Sequence, residues 1–108
     1  MKKKLLKDYK GDGIFINVNN NPSNIVPNEV HIPYEKLLSN YRELLNKNQK
    51  YYIYCNGGVK SRKAVNILNY YGYDVTLIVK EKWQLKSTLI VILIVIVYNK
   101  NVMYYGIY

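Results

Sequence analysis

The order of segments in this chain predicts an α/β fold, a small parallel sheet flanked by helices. Short apolar runs at residues 14–18, 51–54 and 75–79 are bounded by turn residues and rich in β-branched and aromatic side chains. The stretches between them repeat apolar residues at helical spacing. Strand, helix, strand, helix, strand in that order calls for parallel pairing with right-handed crossovers.

Each element has its own signature. Residues 1–10 are basic, with Leu5 and Leu6 among the lysines, and read as one or two helical turns. Gly11-Asp12-Gly13 is a turn, and Ile14-Phe15-Ile16-Asn17-Val18 a buried strand. Residues 19–28 carry Pro22 and Pro27 among many asparagines and must be loop. Glu29-Val30-His31-Ile32 is a short extended piece halted by Pro33.

Over residues 33–46, Tyr34, Leu37, Leu38, Tyr41, Leu44 and Leu45 share one face, with Glu35, Lys36, Arg42 and Glu43 between them. That is an amphipathic helix with proline in its first turn. A polar connection, residues 47–50, leads into the strand at 51–54. After Cys55, Ala64, Ile67, Leu68 and Tyr71 mark the inner face of a second helix, and Gly72 stands where a C′ glycine would end it. Asp74 then opens the last strand.

Composition narrows the function. A chain of 108 residues, 49% of them hydrophobic, is one small globular domain with a single modest core. One cysteine excludes an intrachain disulfide and a cysteine-based zinc site. One histidine and no clustered carboxylates argue against any metal, and no cofactor is expected. A lone thiol fits a reducing compartment, so a cytoplasmic location is expected. The basic start runs into Asp8 and Asp12 instead of an apolar stretch, which does not read as a secretory signal.

The net charge of +9 raises the question of nucleic acid. Only Lys2-Lys3-Lys4 forms a run, and the joint richness in Lys, Asn, Ile and Tyr is the bias an AT-rich coding sequence gives. A solvated basic surface is the better reading, with no nucleic-acid partner.

The chain divides into a domain at residues 1–86 and an apolar tail at 87–108. The tail's uninterrupted run, Leu89 to Tyr98, falls short of the ~20 residues a membrane-spanning helix needs. Extending it would bury Asn99-Lys100-Asn101, at ~2.5–3.5 kcal/mol for the lysine alone. A packed or oligomer-forming tail ranks first, membrane association second, and an out-of-frame or degenerate terminus third.

The chemistry centres on Tyr54-Cys55-Asn56-Gly57-Gly58-Val59-Lys60-Ser61. The only cysteine stands at the carboxyl end of a strand, where parallel sheets bind ligands. Loop N–H groups and a helix N-terminus beside it favour a thiolate, by ~0.3–1 kcal/mol for the helix. Amides from Asn56 to Ser61 can form an anion cradle, with Gly57 and Gly58 supplying positive φ. Lys60 adds a flexible point charge, Ser61 caps the helix, and Arg62 reaches the mouth or solvent. The rival reading is an inert buried thiol. A Cys55–His31 dyad is disfavoured, because His31 lies in the short extended piece.

These residues resemble the rhodanese-like family, over residues 14 to 83. Tyr54-Cys55-Asn-Gly-Gly58-Val-Lys60-Ser61-x-Lys-Ala64 is similar to the family's Y-C-x-x-G-x-R-S-x-x-A, and Leu68-Asn-Tyr-Tyr-Gly72-Tyr-Asp-Val75 to its L-x-x-x-G-Y-x-V. Residues 26–33 follow the H-I-P-G-A-x-N-I-P spacing, which places His31 at an Asn position, and residues 15–19 stand where L-I-D-V-R is usual. Four positions depart from the pattern: Asn17 and Asn19 replace Asp and Arg, Ile25 replaces His, and Asn28 replaces Gly. The usual Gly-Gly after the last strand is Lys80-Glu81-Lys82 here, before Trp83, read as a packing anchor.

The resemblance implies a sulfurtransferase carrying sulfane sulfur as a persulfide on Cys55. It implies a small donor, thiosulfate or a persulfide, and a thiol or cyanide acceptor. Asn56, Gly57, Gly58, Val59, Lys60 and Ser61 would bind the donor, with Lys60 at a position often Arg. A non-catalytic rhodanese-like binding module is the alternative. Cysteine phosphatases share the fold but need C-x5-R. That position is Ser61, Arg62 comes one residue late, and Tyr54 stands where they usually carry His.

Overall fold

In the computed structural model, residues 1–80 are described. Strands β1 (Lys3–Leu5), β2 (Ile14–Asn17), β3 (Val30–His31), β4 (Lys50–Tyr54) and β5 (Asp74–Val79) form one sheet in the order β1-β5-β4-β2-β3. Every pairing is parallel. Helix α1 (Tyr34–Leu44) joins β3 to β4, and α2 (Val59–Tyr70) joins β4 to β5. The expected tail at residues 87–108 and the expected anchor Trp83 lie outside the described residues. Among the described residues no helix is long and apolar enough to cross a membrane.

Strand β4 organises the core because it pairs on both sides, with β2 and β5. Its side chains alternate between two buried layers, as a pleated strand requires. Tyr51, Ile53 and then Cys55 enter the larger layer, with Val65, Leu68, Val75 and Leu77, and with Leu37 and Leu45 from the region of α1. Tyr52 and Tyr54 enter the smaller layer, with Phe15 and Ile78, covered by Leu6, Tyr9, Ile25 and Val26. Both helices thus serve one layer, while the other is closed by aromatic rings and loops. Each fully buried leucine on the helical side contributes ~1.5–3 kcal/mol.

The helix ends follow from local chemistry. Pro33 stands at the N-cap of α1 with φ −53°, one residue outside the first turn expected for it. Asn40 breaks the helical geometry at φ −132°, and Leu45 leaves it extended. Gly72 takes φ +92° after α2. Its N–H donates to Asn69 O, and the Tyr73 N–H donates to Leu68 O, each at 3.0 Å. This Schellman pair is the termination expected from Gly72.

Three local expectations are corrected. Residues 3–5, read as helical, form an edge strand on β5, and only Leu6–Asp8 make a 3-10 turn. The inward face of α2 is Ser61, Ala64, Val65 and Leu68, whereas Ile67 and Tyr71 are exposed. Leu44 also points outward, leaving Leu45 to fill the core.

Candidate active site

Because the sheet is parallel, the carboxyl ends of β2 and β4 lie side by side, with Asn17 opposite Tyr54. The loops leaving them, residues 18–29 and 55–58, therefore meet. Cys55 is the first residue past β4, and α2 begins at Val59. So short a link forces the chain to turn around the sulfur.

That turn supplies the cradle. The Gly58 N–H donates to Cys55 Sγ at 3.1 Å, and the Ser61 N–H donates to it at 3.3 Å. Gly58 is the N-cap of α2 and takes φ +77°, a conformation open to glycine at little cost. In the thiol form Sγ–H donates to Ser61 Oγ at 3.3 Å, whose own proton goes to Gly58 O at 3.3 Å. On ionisation the hydroxyl can rotate to donate to the sulfur, a third hydrogen bond to the anion. Ser61 is fully buried and belongs to the sulfur's surroundings. It is not the helix cap expected, because Gly58 holds that position.

Cys55 is itself only 5% exposed, and its open side borders a cavity of about 430 Å³. Asn56, Gly57, Val59 and Lys60 line the cavity from the Cys55 loop, and Asn19, Asn20, Asn21, Pro22 and Ser23 from the loop after β2. Lys60 is the cation on this wall, and its Nζ lies 3.4 Å from Asn20 Oδ1. The six residues expected to bind substrate thus divide by role. Gly58 and Ser61 grip the sulfur from behind, and the other four face the cavity.

Two further expectations fail. The Asn56 N–H is not part of the cradle, since it donates to Asn19 Oδ1 at 2.9 Å. Gly57 does not take positive φ. As for His31, its Nε2–H donates to Asn19 O at 2.6 Å. This contact ties the ring to the loop wall, and His31 has no hydrogen bond to Cys55. Arg62 is exposed and takes the solvent option.

Asn19, a loop residue that departs from the family pattern, does work that its sequence position does not announce. Its N–H donates to Asn17 Oδ1 at 2.9 Å, its carbonyl accepts from His31, and its side chain holds Asn56. Buried Asn17 donates through Nδ2 to Ser23 Oγ and, at 2.9 Å, to Glu29 Oε2. The other Glu29 oxygen accepts the Ile25 and Val26 N–H groups. One polar chain therefore runs from β3 through the asparagine loop to Asn56, the residue after Cys55. Asn28, where the family carries Gly, takes φ +63°, a region Asn tolerates better than most residues. The available signal was topological: a polar loop after β2 in a parallel sheet opens beside the end of β4.

Among the described residues no group of three His, Cys, Asp or Glu side chains could hold a metal ion. Tyr54, on the far side of the strand, sends its hydroxyl to Asn56 Oδ1 at 3.0 Å. The loop is thus held from both faces of the sheet.

Comparison with known proteins agrees with this fold. The sequence model of the Rhodanese-like domain matches residues 4–84. A rhodanese-like domain protein from Staphylococcus aureus superposes with a TM-score of 0.59 at 28% identity, covering 70% of this chain and 82% of its own. A rhodanese-related protein from Thermoplasma volcanium gives 0.63 at 20% identity, over 72% and 83%. An NAD-dependent persulfide reductase from A. fulgidus gives 0.61 at 20% identity, over 71% of this chain and 14% of the larger protein. No curated protein matches significantly. With a parallel sheet, a single cysteine at the end of β4 and a family match spanning most of its length, the chain belongs to the rhodanese-like domain family.

Proposed function

We propose that this protein is a thiosulfate-type sulfurtransferase moving sulfane sulfur through a persulfide on Cys55. The observation that carries the proposal is the pair of N–H donors, from Gly58 and Ser61, aimed at Sγ. They stabilise negative charge on the attacking sulfur and again on the sulfur of the departing thiolate. The cavity beside Cys55 has room for a small donor, with Lys60 to attract an anion.

The steps balance without a cofactor. The Cys55 thiolate attacks the outer sulfur of thiosulfate, the S–S bond breaks, and sulfite leaves with the electron pair. Cyanide or a thiol then attacks the terminal sulfur of the persulfide, and the thiolate is regenerated inside its cradle. A reducing, cytoplasmic setting suits a thiol that must return to the free state after each cycle.

Thiosulfate and cyanide should give thiocyanate with the native protein and none with Cys55→Ser. A folded native protein that forms no thiocyanate would favour the second reading, a non-catalytic binding module. The specific support for that reading is the loss of two charges near the cavity: Asn19, on its wall, replaces the family's Arg, and Asn17, buried beneath the loop, replaces its Asp.

A further inference from the structure

Asn56-Gly57 is the only Asn-Gly step in the chain, and it follows the nucleophile directly. Asparagine before glycine is the pair most prone to lose ammonia, because no Cβ shields the attacking glycine nitrogen. Three features of the structure favour this reaction. Asn56 and Gly57 are both exposed. Among the described residues the Gly57 N–H donates to no acceptor, and a Cβ added to Gly57 would meet nothing within 4 Å. The Tyr54 hydroxyl donates to Asn56 Oδ1 at 3.0 Å from a fully buried ring. It polarises the carbonyl that would be attacked, as an oxyanion donor does.

We propose that Asn56 is a self-modification site whose conversion to an acid disarms the Cys55 loop. The Gly57 nitrogen gives up its proton to solvent and attacks Asn56 Cγ. The Cγ–Nδ2 bond breaks, and ammonia leaves with a proton from water. Water then opens the five-membered imide at either carbonyl, giving aspartate or isoaspartate. The net reaction takes up water and releases ammonia, with no oxidation or reduction.

Either product places a carboxylate on the cavity wall beside Cys55, opposing the charge of Lys60 and repelling an anionic donor. The isoaspartyl form also inserts a methylene into the backbone between Cys55 and Gly58, whose N–H is aimed at the sulfur. This consequence rests on the sulfurtransferase proposal. The chemistry at Asn56 does not.

Asp12-Gly13 makes an internal contrast, since it could form the same ring. As a carboxylate paired with Lys50, Asp12 is a far poorer electrophile than an amide, and Gly13 is crowded, with a Cβ there 2.8 Å from Lys50 O.

Peptide mapping by mass spectrometry, after warm incubation of the full-length protein at mildly alkaline pH, tests the proposal. Acid should accumulate at position 56 ahead of every other asparagine and ahead of isomerisation at Asp12. Gly57→Ala should slow it roughly tenfold, because the added Cβ fits the loop yet shields the nitrogen. Tyr54→Phe should slow it several-fold. Asn56→Asp, made directly, should take sulfur from thiosulfate on the order of tenfold more slowly than the native protein.

An intact Asn56 while other asparagines convert, or an equal rate in Gly57→Ala, would overturn the site. Unchanged sulfur uptake by Asn56→Asp would overturn its effect. If the native protein takes up no sulfur, the sulfurtransferase proposal fails while the peptide map still decides Asn56.

Discussion

At the amino end of the sheet charged groups pair with one another, whereas at the carboxyl end backbone and side-chain amides surround a cysteine and a cavity. Asp12, before β2, accepts the Tyr52 hydroxyl at 2.9 Å and lies 3.3 Å from Lys50 Nζ, at the start of β4. Lys2 and Asp74 make a second pair at the start of β5. Lys4 and Lys50 also stand over the Tyr52 ring. At the other end the donors converge on Cys55, and the sulfur's open side meets the cavity. The same parallel sheet therefore carries one end fastened by ion pairs and one that opens onto a cavity. Changes at the first should alter stability alone, and changes at the second should alter chemistry.

The sharpest break of that contrast on the closed side is Gly13→Ala. The new Cβ would sit 2.8 Å from Lys50 O and from the Tyr52 ring, in a region with no slack. It should destabilise the fold by ~1–3 kcal/mol, read by urea unfolding, with sulfur uptake per folded molecule unchanged. Gly58→Ala makes the opposite case. No atom obstructs a Cβ there, but φ of +77° penalises any L side chain. A loss of about 1–2 kcal/mol should come together with slower sulfur uptake, as the Gly58 N–H turns away from Sγ.

A smaller effect is expected from Lys60→Gln, which leaves the cavity's shape but removes its charge. KM for thiosulfate should rise roughly threefold to tenfold, with kcat little changed. Added salt should weaken the native protein toward the variant. Lys60→Arg should recover most of the loss.

Smallest of all is Asp12→Asn. The Tyr52 hydrogen bond, then Lys50, holds the Asp12 carboxyl below its ordinary 3.8, so its contribution is present above that value and fades as pH falls through the lowered one. Lys50 is raised above 10.5 by Tyr52 and Asp12, so its share is present below that value and lost as pH rises through the raised one. Both groups are exposed, so the variant should flatten these outer limbs of the stability profile only slightly. Unfolding midpoints across pH would read it.

Much of this was legible in the sequence, for reasons tied to particular residues. Strand β4 and the start of α2 announce themselves because a tyrosine-rich run ends at Cys55 and Gly57-Gly58 interrupts it. Gly72 marked a helix end that the Schellman hydrogen bonds then supply. Residues 3–5 were illegible as a strand because their partner β5 is distant in sequence and three residues show no period. The inner face of α2 was misjudged by favouring large side chains. Ser61 is buried because it sits against the sulfur, while Ile67 and Tyr71 turn outward. The latch through Asn19 could not be read from periodicity, since polar loop residues carry none. Only parallel pairing of β2 with β4 brings it to Asn56.

Intact-mass spectrometry of the protein after thiosulfate, and again after cyanide, tests the central claim most directly. A sulfur cradled by the Gly58 and Ser61 amides should gain one further sulfur atom, lose it to cyanide, and gain nothing in Cys55→Ser. A folded native protein whose mass stays unchanged, while its Cys55 thiol remains free to react with a small alkylating reagent, would contradict it.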